Sequence, residues 1–282
     1  MAIRFLSRCV CLAIVLAVGV QAMLAKEPLK VYIVTDLEGA SGVYKFSQTR
    51  EKDAPLNVAA CRYLMEDINA VVRGLREGGA QKVVVLDGHG NQTVIPDLME
   101  PGATHITGTP RPGPLNGIDE TYSALVLVGM HAMMGTPDGV LCHTQSSRSE
   151  NRYWYNGVES GEIAQGAAIA GHYSIPTIMV TGDEAACREG SKFLGPHCVT
   201  VAVKRGLARE SAELYPFAET RKALYEGAKR AMAAIPQCKP YALQLPIKAK
   251  KQWYSLDAQK NKTGKLLTKE GLIPDMAHIL AF

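Results

Sequence analysis

Two acidic residues at the end of an apolar run give the first indication of chemistry in this 282-residue chain. Asp36 and Glu38 follow the apolar run 31–35 and precede the small residues 39–42. Buried carboxylates are unfavourable unless a positive partner meets them. Because residues two apart in an extended backbone point to the same side, both carboxylates can face one pocket. A metal ion is the simplest partner for this pair.

Three later segments supply further ligand-type residues in similar contexts. His89 and His131 each follow an apolar run, and Glu162 opens a run of small residues with helical character. Imidazole and carboxylate groups together suit zinc, and also manganese or cobalt. With Asp36 and Glu38 the set is too large for one tetrahedral site. A carboxylate that bridges two metal ions would use all of it.

Each of these signals also has an ordinary structural explanation. A carboxylate after a strand often caps a helix, and the helix dipole favours an acid such as Glu162 in a first turn. Asp87 is better explained as a turn residue, because the nearby His89 is the better ligand. The metal site is therefore inferred from the joint placement of the candidates at predicted strand ends.

His143 is a candidate for a different role. It lies in a loop twelve residues after His131, where it could act as a general acid or base or stabilise an oxyanion. Cys142 as a nucleophile, with His143 or His131 as its base, is a competing hypothesis. It leaves the acidic residues unexplained, and an exported thiol is prone to oxidation. The sequence contains no G-x-S-x-G, P-loop or G-x-G-x-x-G motif.

The elements that must position these residues alternate between strands and helices. Such alternation predicts an α/β protein with a mainly parallel sheet, whose sites lie at the carboxyl ends of the strands. Hydrophobic periodicity predicts strands at 31–35, 82–86, 122–128, 152–158, 176–180, 199–203 and 241–247, and helices at 57–77, 161–172, 184–193 and 217–234.

The two ends of the chain differ from the middle. Residues 1–25 combine a basic start with a short apolar run and small-residue cleavage sites, which predicts a signal peptide and a secreted or periplasmic protein without a membrane span after cleavage. Residues 26–248 are the predicted catalytic region. Residues 249–282 are rich in lysine with little apolar periodicity, and we interpret them as a loosely packed polar tail.

Charge and cysteine content narrow the function classes further. The net charge of +4 and the lack of a basic run interleaved with aromatics argue against a nucleic-acid partner. In an oxidising compartment Cys187 and Cys198 could form a disulfide, but two buried thiols explain them equally well.

The chain carries short motifs in the same order as the DppA-type D-aminopeptidase family of binuclear zinc peptidases, and it resembles that family. The resemblance covers roughly residues 29 to 247. The segments that carry it are Thr35-Asp-Leu-Glu-Gly-Ala-Ser-Gly42, Asp67-Ile-Asn-Ala70, Val85-Leu-Asp-Gly-His89, Val128-Gly-Met-His131, Cys142-His-Thr144, Asn156-Gly157 with Gly161-Glu162, Thr181-Gly-Asp183 and Val201-Ala-Val-Lys204.

The resemblance implies a fold, a site and an activity. The fold would be a doubly wound α/β domain with a smaller α+β lobe. Asp36 would bridge two Zn2+ ions per subunit, the other metal ligands would be Glu38, His89, His131 and Glu162, and His143 would be the catalytic histidine. The substrates would be short peptides with an N-terminal D-amino acid, such as D-Ala-D-Ala. The family also implies a homo-oligomer, because its type member is a ring-like decamer.

Two other classes of protein are compatible with the residues alone. A binuclear metal phosphoesterase or amidohydrolase would use the same ligands for its reaction. A non-catalytic periplasmic binding protein would share the signal peptide and the α/β layers but would hold no metal.

Overall fold

The computed structural model describes residues 28–90, 92–110 and 115–282. The predicted signal peptide, residues 1–25, lies outside these ranges. Among the described residues, no helix combines the length and the apolar character that a membrane crossing requires.

Strands and helices alternate along the chain, as the sequence predicts. The strands are β1 (Lys30–Thr35), β2 (Lys82–Asp87), β3 (Thr104–Ile106), β4 (Ala124–Met130), β5 (Arg152–Tyr155), β6 (Val158–Ser160), β7 (Thr177–Asp183), β8 (Val199–Ala208), β9 (Ser211–Leu214), β10 (Ile247–Leu256) and β11 (Lys262–Ile273). The α-helices are α1 (Pro55–Glu77), α2 (Glu162–His172), α3 (Glu184–Leu194) and α4 (Phe217–Ala234).

The main sheet has seven strands in the order β3-β2-β1-β4-β7-β8-β9. All neighbouring pairs are parallel except β8 and β9, which are antiparallel. Every residue of β4 and β7 is buried, because helices cover both faces of the sheet. Helices α1 and α4 pack together on one face, and α2 and α3 pack together on the other. The predicted doubly wound fold is confirmed.

The order of the strands in the main sheet determines where the candidate site lies. The chain runs from β1 through β2 to β3 in one direction and then returns to add β4 on the other side of β1. The helices that follow β1 and β4 therefore lie on opposite faces, and a crevice opens at the carboxyl ends of these two strands. Asp36 follows β1, His89 follows β2 and His131 follows β4, so all three reach this crevice.

A second, antiparallel sheet forms the smaller lobe, in the order β11-β10-β5-β6. The predicted turn at Asn156-Gly157 joins β5 to β6, and both residues have the positive φ that a tight hairpin requires, 51° and 85°. The strand predicted at 241–247 begins only at Ile247, after Pro246, which has no amide hydrogen for a strand ladder.

The prediction that residues 249–282 form a loosely packed tail is wrong. They complete β10, form β11 and end in a short 3-10 helix, Met276–Ala281. Ile273 and Ile279 are buried against α2 and the second sheet. Most side chains of β11 are exposed, so charged residues can occupy this strand. The sequence of β11 therefore lacks the alternation of apolar and polar residues that predicts a strand. The five cysteines in the described ranges are free thiols, including Cys187 and Cys198.

Candidate metal centre and active site

The loop after β1 is fixed against the end of β4. The amide of Asp36 donates to the carbonyl of Val128 at 2.8 Å, and the amide of Gly39 donates to the carbonyl of Gly129 at 2.7 Å. The contact is so close that a Cβ added at Gly39 would lie 1.9 Å from the carbonyl oxygen of Met130. Only glycine fits there, and the small-residue segment therefore serves to bring Asp36 and Glu38 onto β4.

The side chain of Lys204 fixes the loop after β1 through hydrogen bonds, a role that the sequence did not predict. Its side chain is completely buried, and its ammonium group donates to the carbonyl of Glu38 at 2.7 Å, to the carbonyl of Ala40 at 2.9 Å and to the carbonyl of Val43. Burial lowers the pKa of Lys204 to about 8, so the amine still carries its proton at neutral pH. A lysine directly after the apolar run Val201–Val203 is the signal that could have identified it.

We expect Lys204→Met to lower the free energy of unfolding by about 3 kcal/mol or more, because three buried carbonyls would lose a charged donor. Urea denaturation measures this change. Lys222→Met, at an exposed position of α4, is the control and should change stability by less than about 0.5 kcal/mol. Equal effects of the two substitutions would contradict the role assigned to Lys204.

His89 and Glu38 form one half of the site with one oxygen of Asp36. Nδ1 of His89 lies 2.9 Å from Oδ1 of Asp36 and 3.1 Å from Oε2 of Glu38. The other ring nitrogen, Nε2, donates to the carbonyl of Thr49 at 3.0 Å. A ligating histidine typically donates its second N–H to such an acceptor, which fixes the ring and turns the other nitrogen toward the metal.

His131 and Glu162 form the other half with the second oxygen of Asp36. Nε2 of His131 lies 3.2 Å from Oδ2 of Asp36 and 3.4 Å from Oε1 of Glu162. Nδ1 of His131 donates to the carbonyl of Ala132 at 3.0 Å, so this ring is fixed in the same way. The amide of Gln145 donates to Oε1 of Glu162 at 2.6 Å and orients that carboxylate.

Two buried ligand atoms without a hydrogen bond, as well as the residue types, suit a metal centre. Oε2 of Glu38 and Nε2 of His131 are buried and make no hydrogen bond within the described ranges, although each lies at ion-pair distance from an opposite partner. Ligand atoms of Asp36, Glu38 and His131 lie within 4.8 Å of one another, as do those of His131, His143 and Glu162. These N and O donors are a set that zinc accepts.

The mixture of carboxylates and imidazoles makes the site favourable for positive charge. Burial alone would lower the pKa of His89 and His131, but the neighbouring carboxylates outweigh it and raise both pKa values well above their ordinary range. Burial would raise the pKa of Asp36 and Glu162, yet the histidines lower both, that of Glu162 to about 2. A metal ion would replace these protons on the same nitrogen and oxygen atoms.

His143 stacks on His131, beside the half of the site that His131 and Glu162 form. Its ring lies 3.9 Å from the ring of His131, centroid to centroid, with 15° between the planes. Nδ1 donates to the carbonyl of Leu141 at 2.8 Å, which leaves Nε2 facing the site, 3.9 Å from Oε1 of Glu162. Burial, followed by the repulsion of His131, lowers the pKa of His143, so the neutral ring can accept a proton through Nε2.

The structure thus brings all six predicted site residues together and separates two others from them. Asp87 accepts hydrogen bonds from the amide of Thr93 at 2.7 Å and from the hydroxyl of Thr107 at 2.9 Å, as expected of a turn residue. The thiol of Cys142 donates to the carbonyl of Thr136 at 3.4 Å and packs in a small apolar cluster. These contacts do not support Cys142 as a nucleophile.

Two pockets open from the ligand cluster in different directions. One is a mostly apolar cavity of about 220 Å³ that reaches from Asp36 and Glu162 to Val34, Ile169 and Leu280. The other is polar, with a volume of about 500 Å³, and it contains both His89 and His143. A substrate bound at the ligand cluster can therefore extend to both sides.

Glu189 is a second buried residue beside the site that the sequence did not indicate. Its Oε2 accepts the amide of Met133 at 2.7 Å, and its Oε1 has no hydrogen-bond partner in the described part of the chain. Burial raises the pKa of Glu189 from 4.5 to about 7.

A carboxyl group with a raised pKa in the folded state stabilises the protein fully below its unfolded pKa, and this contribution is lost as the pH rises through the folded value. The window for Glu189 is therefore about pH 4.5 to 7. We expect Glu189→Gln to resemble the wild type at pH 5 and to be more stable by about 1–3 kcal/mol at pH 8. Urea denaturation at both pH values, with a chelator present, measures this. A parallel pH dependence of the two proteins would contradict it.

A doubly wound α/β fold with imidazole and carboxylate side chains at its switch point has the residues that a metal-dependent hydrolase needs. The family model described as D-aminopeptidase matches residues 29–262, and the chain belongs to this family. The D-aminopeptidase of Bacillus subtilis (strain 168) is 28% identical over 215 residues, which are 75% of this chain and 77% of that protein.

A solved structure shows the same fold. The Zn-dependent D-aminopeptidase DppA from Bacillus subtilis, described as a self-compartmentalizing protease, superposes with a TM-score of 0.81. The two chains are 23% identical, and the match covers 90% of this chain and 94% of that one. The predicted family and the predicted enzyme class, a metallo-aminopeptidase, are confirmed. The family thereby decides against the phosphoesterase and the binding protein.

Proposed function

We propose that this protein is a zinc-dependent aminopeptidase that removes an N-terminal D-amino acid from short peptides of the D-Ala-D-Ala type. The observation that carries the proposal is the division of the ligands into two halves around Asp36. One carboxylate oxygen faces His89, which also contacts Glu38, and the other faces His131, which also contacts Glu162. This arrangement supports two zinc ions per subunit, with Asp36 as the shared ligand.

Each residue then has a defined task. Bound zinc supplies a water of lowered pKa and polarises the scissile carbonyl. Thr49 and Ala132 keep Nδ1 of His89 and Nε2 of His131 directed into the site through their carbonyls. Nε2 of His143 accepts a proton from the attacking water or, once protonated, stabilises the oxyanion by a hydrogen bond.

The apolar cavity suits the N-terminal residue of the substrate. It begins at Asp36 and Glu162 and is lined mainly by aliphatic side chains such as Leu127 and Ile169. A small apolar side chain fills such a space without leaving polar groups unpaired, whereas a charged one would be buried without a partner. We therefore assign alanine-like residues to this cavity.

The setting of the enzyme is part of the same proposal. The signal pattern in residues 1–25 supports export, so that the enzyme would meet short peptides outside the cytoplasm. The self-compartmentalizing character of the structural neighbour supports a homo-oligomer, and the ring-like decamer of the family's type member is the arrangement we propose.

The test compares D-Ala-D-Ala with L-Ala-L-Ala as substrates of the purified, zinc-loaded chain, with chelator-treated protein as the control. We expect turnover of the D-peptide at a kcat/KM at least about 10²-fold above that of the L-peptide, and no turnover after chelation. Hydrolysis of the L-peptide alone would contradict the D-specificity. Turnover of a phosphate ester without any peptide hydrolysis would contradict the aminopeptidase.

A further inference from the structure

The polar pocket has one basic wall that the proposed chemistry does not use. Its other wall consists of the ligand cluster, with His89 and His143 at the surface. The basic wall is formed by Arg50, Arg148 and Lys260, which come from three separate loops. A pocket with metal ligands on one side and cations on the other can hold a group that is negatively charged close to the reacting bond.

Arg50 is held in place beside the catalytic histidine. Its Nε donates to the hydroxyl of Ser147 at 3.2 Å, and its guanidinium group lies 3.5 Å from the centroid of the Phe46 ring. The same ring approaches the ring of His143, with 6.4 Å between centroids. Phe46 is buried, so it fixes the separation between the guanidinium group and His143. Arg50 is thus a preorganised donor rather than a free surface side chain.

The two arginines of this wall have no directly paired acid among the described residues. Within the described ranges neither Arg50 nor Arg148 forms an ion pair, whereas the neighbouring Arg209 pairs with Glu150 at 3.1 Å. Burial, followed by repulsion from Arg148 and Arg209, lowers the pKa of Arg50, and the attraction of Glu210 and Glu38 offsets this only in part. Cations held together without a directly paired acid repel one another, and an anionic ligand would relieve this repulsion.

We propose that Arg50 and Arg148 bind the terminal α-carboxylate of the substrate, so that the preferred substrates are dipeptides with a free carboxyl end. The inference rests on the proposed aminopeptidase function. Arginine suits the role because its planar fork of N–H donors matches a carboxylate.

The length of a dipeptide sets where its carboxylate lies. With the N-terminal residue in the apolar cavity, the leaving residue must enter the polar pocket. One residue of extended chain spans about 3.3–3.6 Å, so the carboxylate of a dipeptide lies one residue beyond the scissile bond, within the pocket that Arg50 and Arg148 line. Lys260, at the turn between β10 and β11, stands at the same pocket and adds positive charge there.

Three substrates test the proposal with the zinc-loaded enzyme: D-Ala-D-Ala, its C-terminal amide, and D-Ala-D-Asp α-amide, which carries its only carboxylate on a side chain. We expect kcat/KM for the free acid to exceed that for the simple amide by about 10- to 100-fold, chiefly through KM. Equal values for acid and amide would overturn the inference. A preference for the side-chain carboxylate over the free acid would also overturn it.

Substitutions of Arg50 and Arg148 test whether these two residues cause the preference for the free acid. We expect Arg148→Gln, at an exposed position, and Arg50→Lys, which keeps the charge but loses the fork, each to reduce the preference for the acid over the amide by about 3- to 10-fold. Arg73→Gln, on the exposed side of α1, is the matched control and should keep the full preference. An undiminished preference in both pocket variants would overturn the assignment. Absence of turnover of every peptide would contradict the proposed function itself, whereas equal turnover of acid and amide contradicts only this inference.

Discussion

Replacing Asp36 by Asn is expected to lower kcat/KM by at least about 10³-fold and to remove one or both zinc ions from each chain. The amide keeps the shape of the side chain, but it lacks the negative charge and one of the two oxygen ligands. Both halves of the site depend on this carboxylate, since one oxygen faces His89 and the other faces His131. Losing metal-centred stabilisation of several kcal/mol from the transition state corresponds to a rate loss of this size.

The measurement combines steady-state kinetics with the zinc content of dialysed protein. Asp97→Asn, at an exposed position in a short 3-10 helix, makes the same chemical change away from the site and should keep both activity and metal. Circular dichroism shows whether the Asp36 variant remains folded. An Asp36→Asn protein with two zinc ions and wild-type kcat/KM would contradict the role of Asp36 as the shared ligand.

His143→Ala is expected to lower kcat by about 10²- to 10³-fold while the zinc content stays unchanged. The reason is that His143 stacks on His131 and directs Nε2 into the site, but this nitrogen lies 3.9 Å from Oε1 of Glu162, whereas Nε2 of His131 lies 3.4 Å from it, and we assign the metal to His131. Loss of His143 removes a proton acceptor and leaves Asp36 and Glu162 in place. The effect should appear in kcat more than in KM, because the proton moves only as the transition state forms.

His278→Ala is the control for this substitution, since His278 is exposed and pairs at 2.7 Å with Asp275, the residue that caps its short helix. It should leave kcat within about two-fold of the wild-type value. Loss of zinc from His143→Ala in proportion to its loss of activity would contradict the separation between a catalytic histidine and the metal ligands.

The parts of the fold that the sequence predicts are those with an uninterrupted pattern. Strands β1, β2, β4 and β7 are apolar runs because helices bury both of their faces, and α1 shows helical periodicity because only one side of it meets the sheet. The strand ends then identify the crevice. Asp36, His89 and His131 could be grouped from the sequence because the carboxyl ends of parallel strands meet at one edge.

The C-terminal lobe could not be predicted in this way. Most residues of β10 and β11 are partly or fully exposed, so polar residues such as lysine and threonine can occupy them. The alternation of apolar and polar residues that marks a strand is therefore missing from the sequence. The position of the two strands depends on the pairing of β10 with β5, which is distant in sequence, and on the short 3-10 helix Met276–Ala281, which packs on α2. The consequence for the site is direct, because this lobe places Lys260 at the polar pocket and Leu280 at the apolar cavity.

The residues that support the site were also hidden from the sequence. The position of Lys204 after an apolar run is visible in the sequence, but its three backbone acceptors are not. Glu189 acts through the amide of Met133. Residue types and spacing predicted which side chains approach the metal, whereas the groups that hold them in position appear only in three dimensions.

The most direct test of the account is a crystal structure of the zinc-loaded protein with anomalous diffraction recorded at the zinc edge. The account predicts two anomalous peaks per chain. One oxygen of Asp36 should face each peak, with His89 and Glu38 at one and His131 and Glu162 at the other. A single peak at full zinc loading, or two peaks of which only one contacts Asp36, would contradict the shared carboxylate on which the proposed function rests.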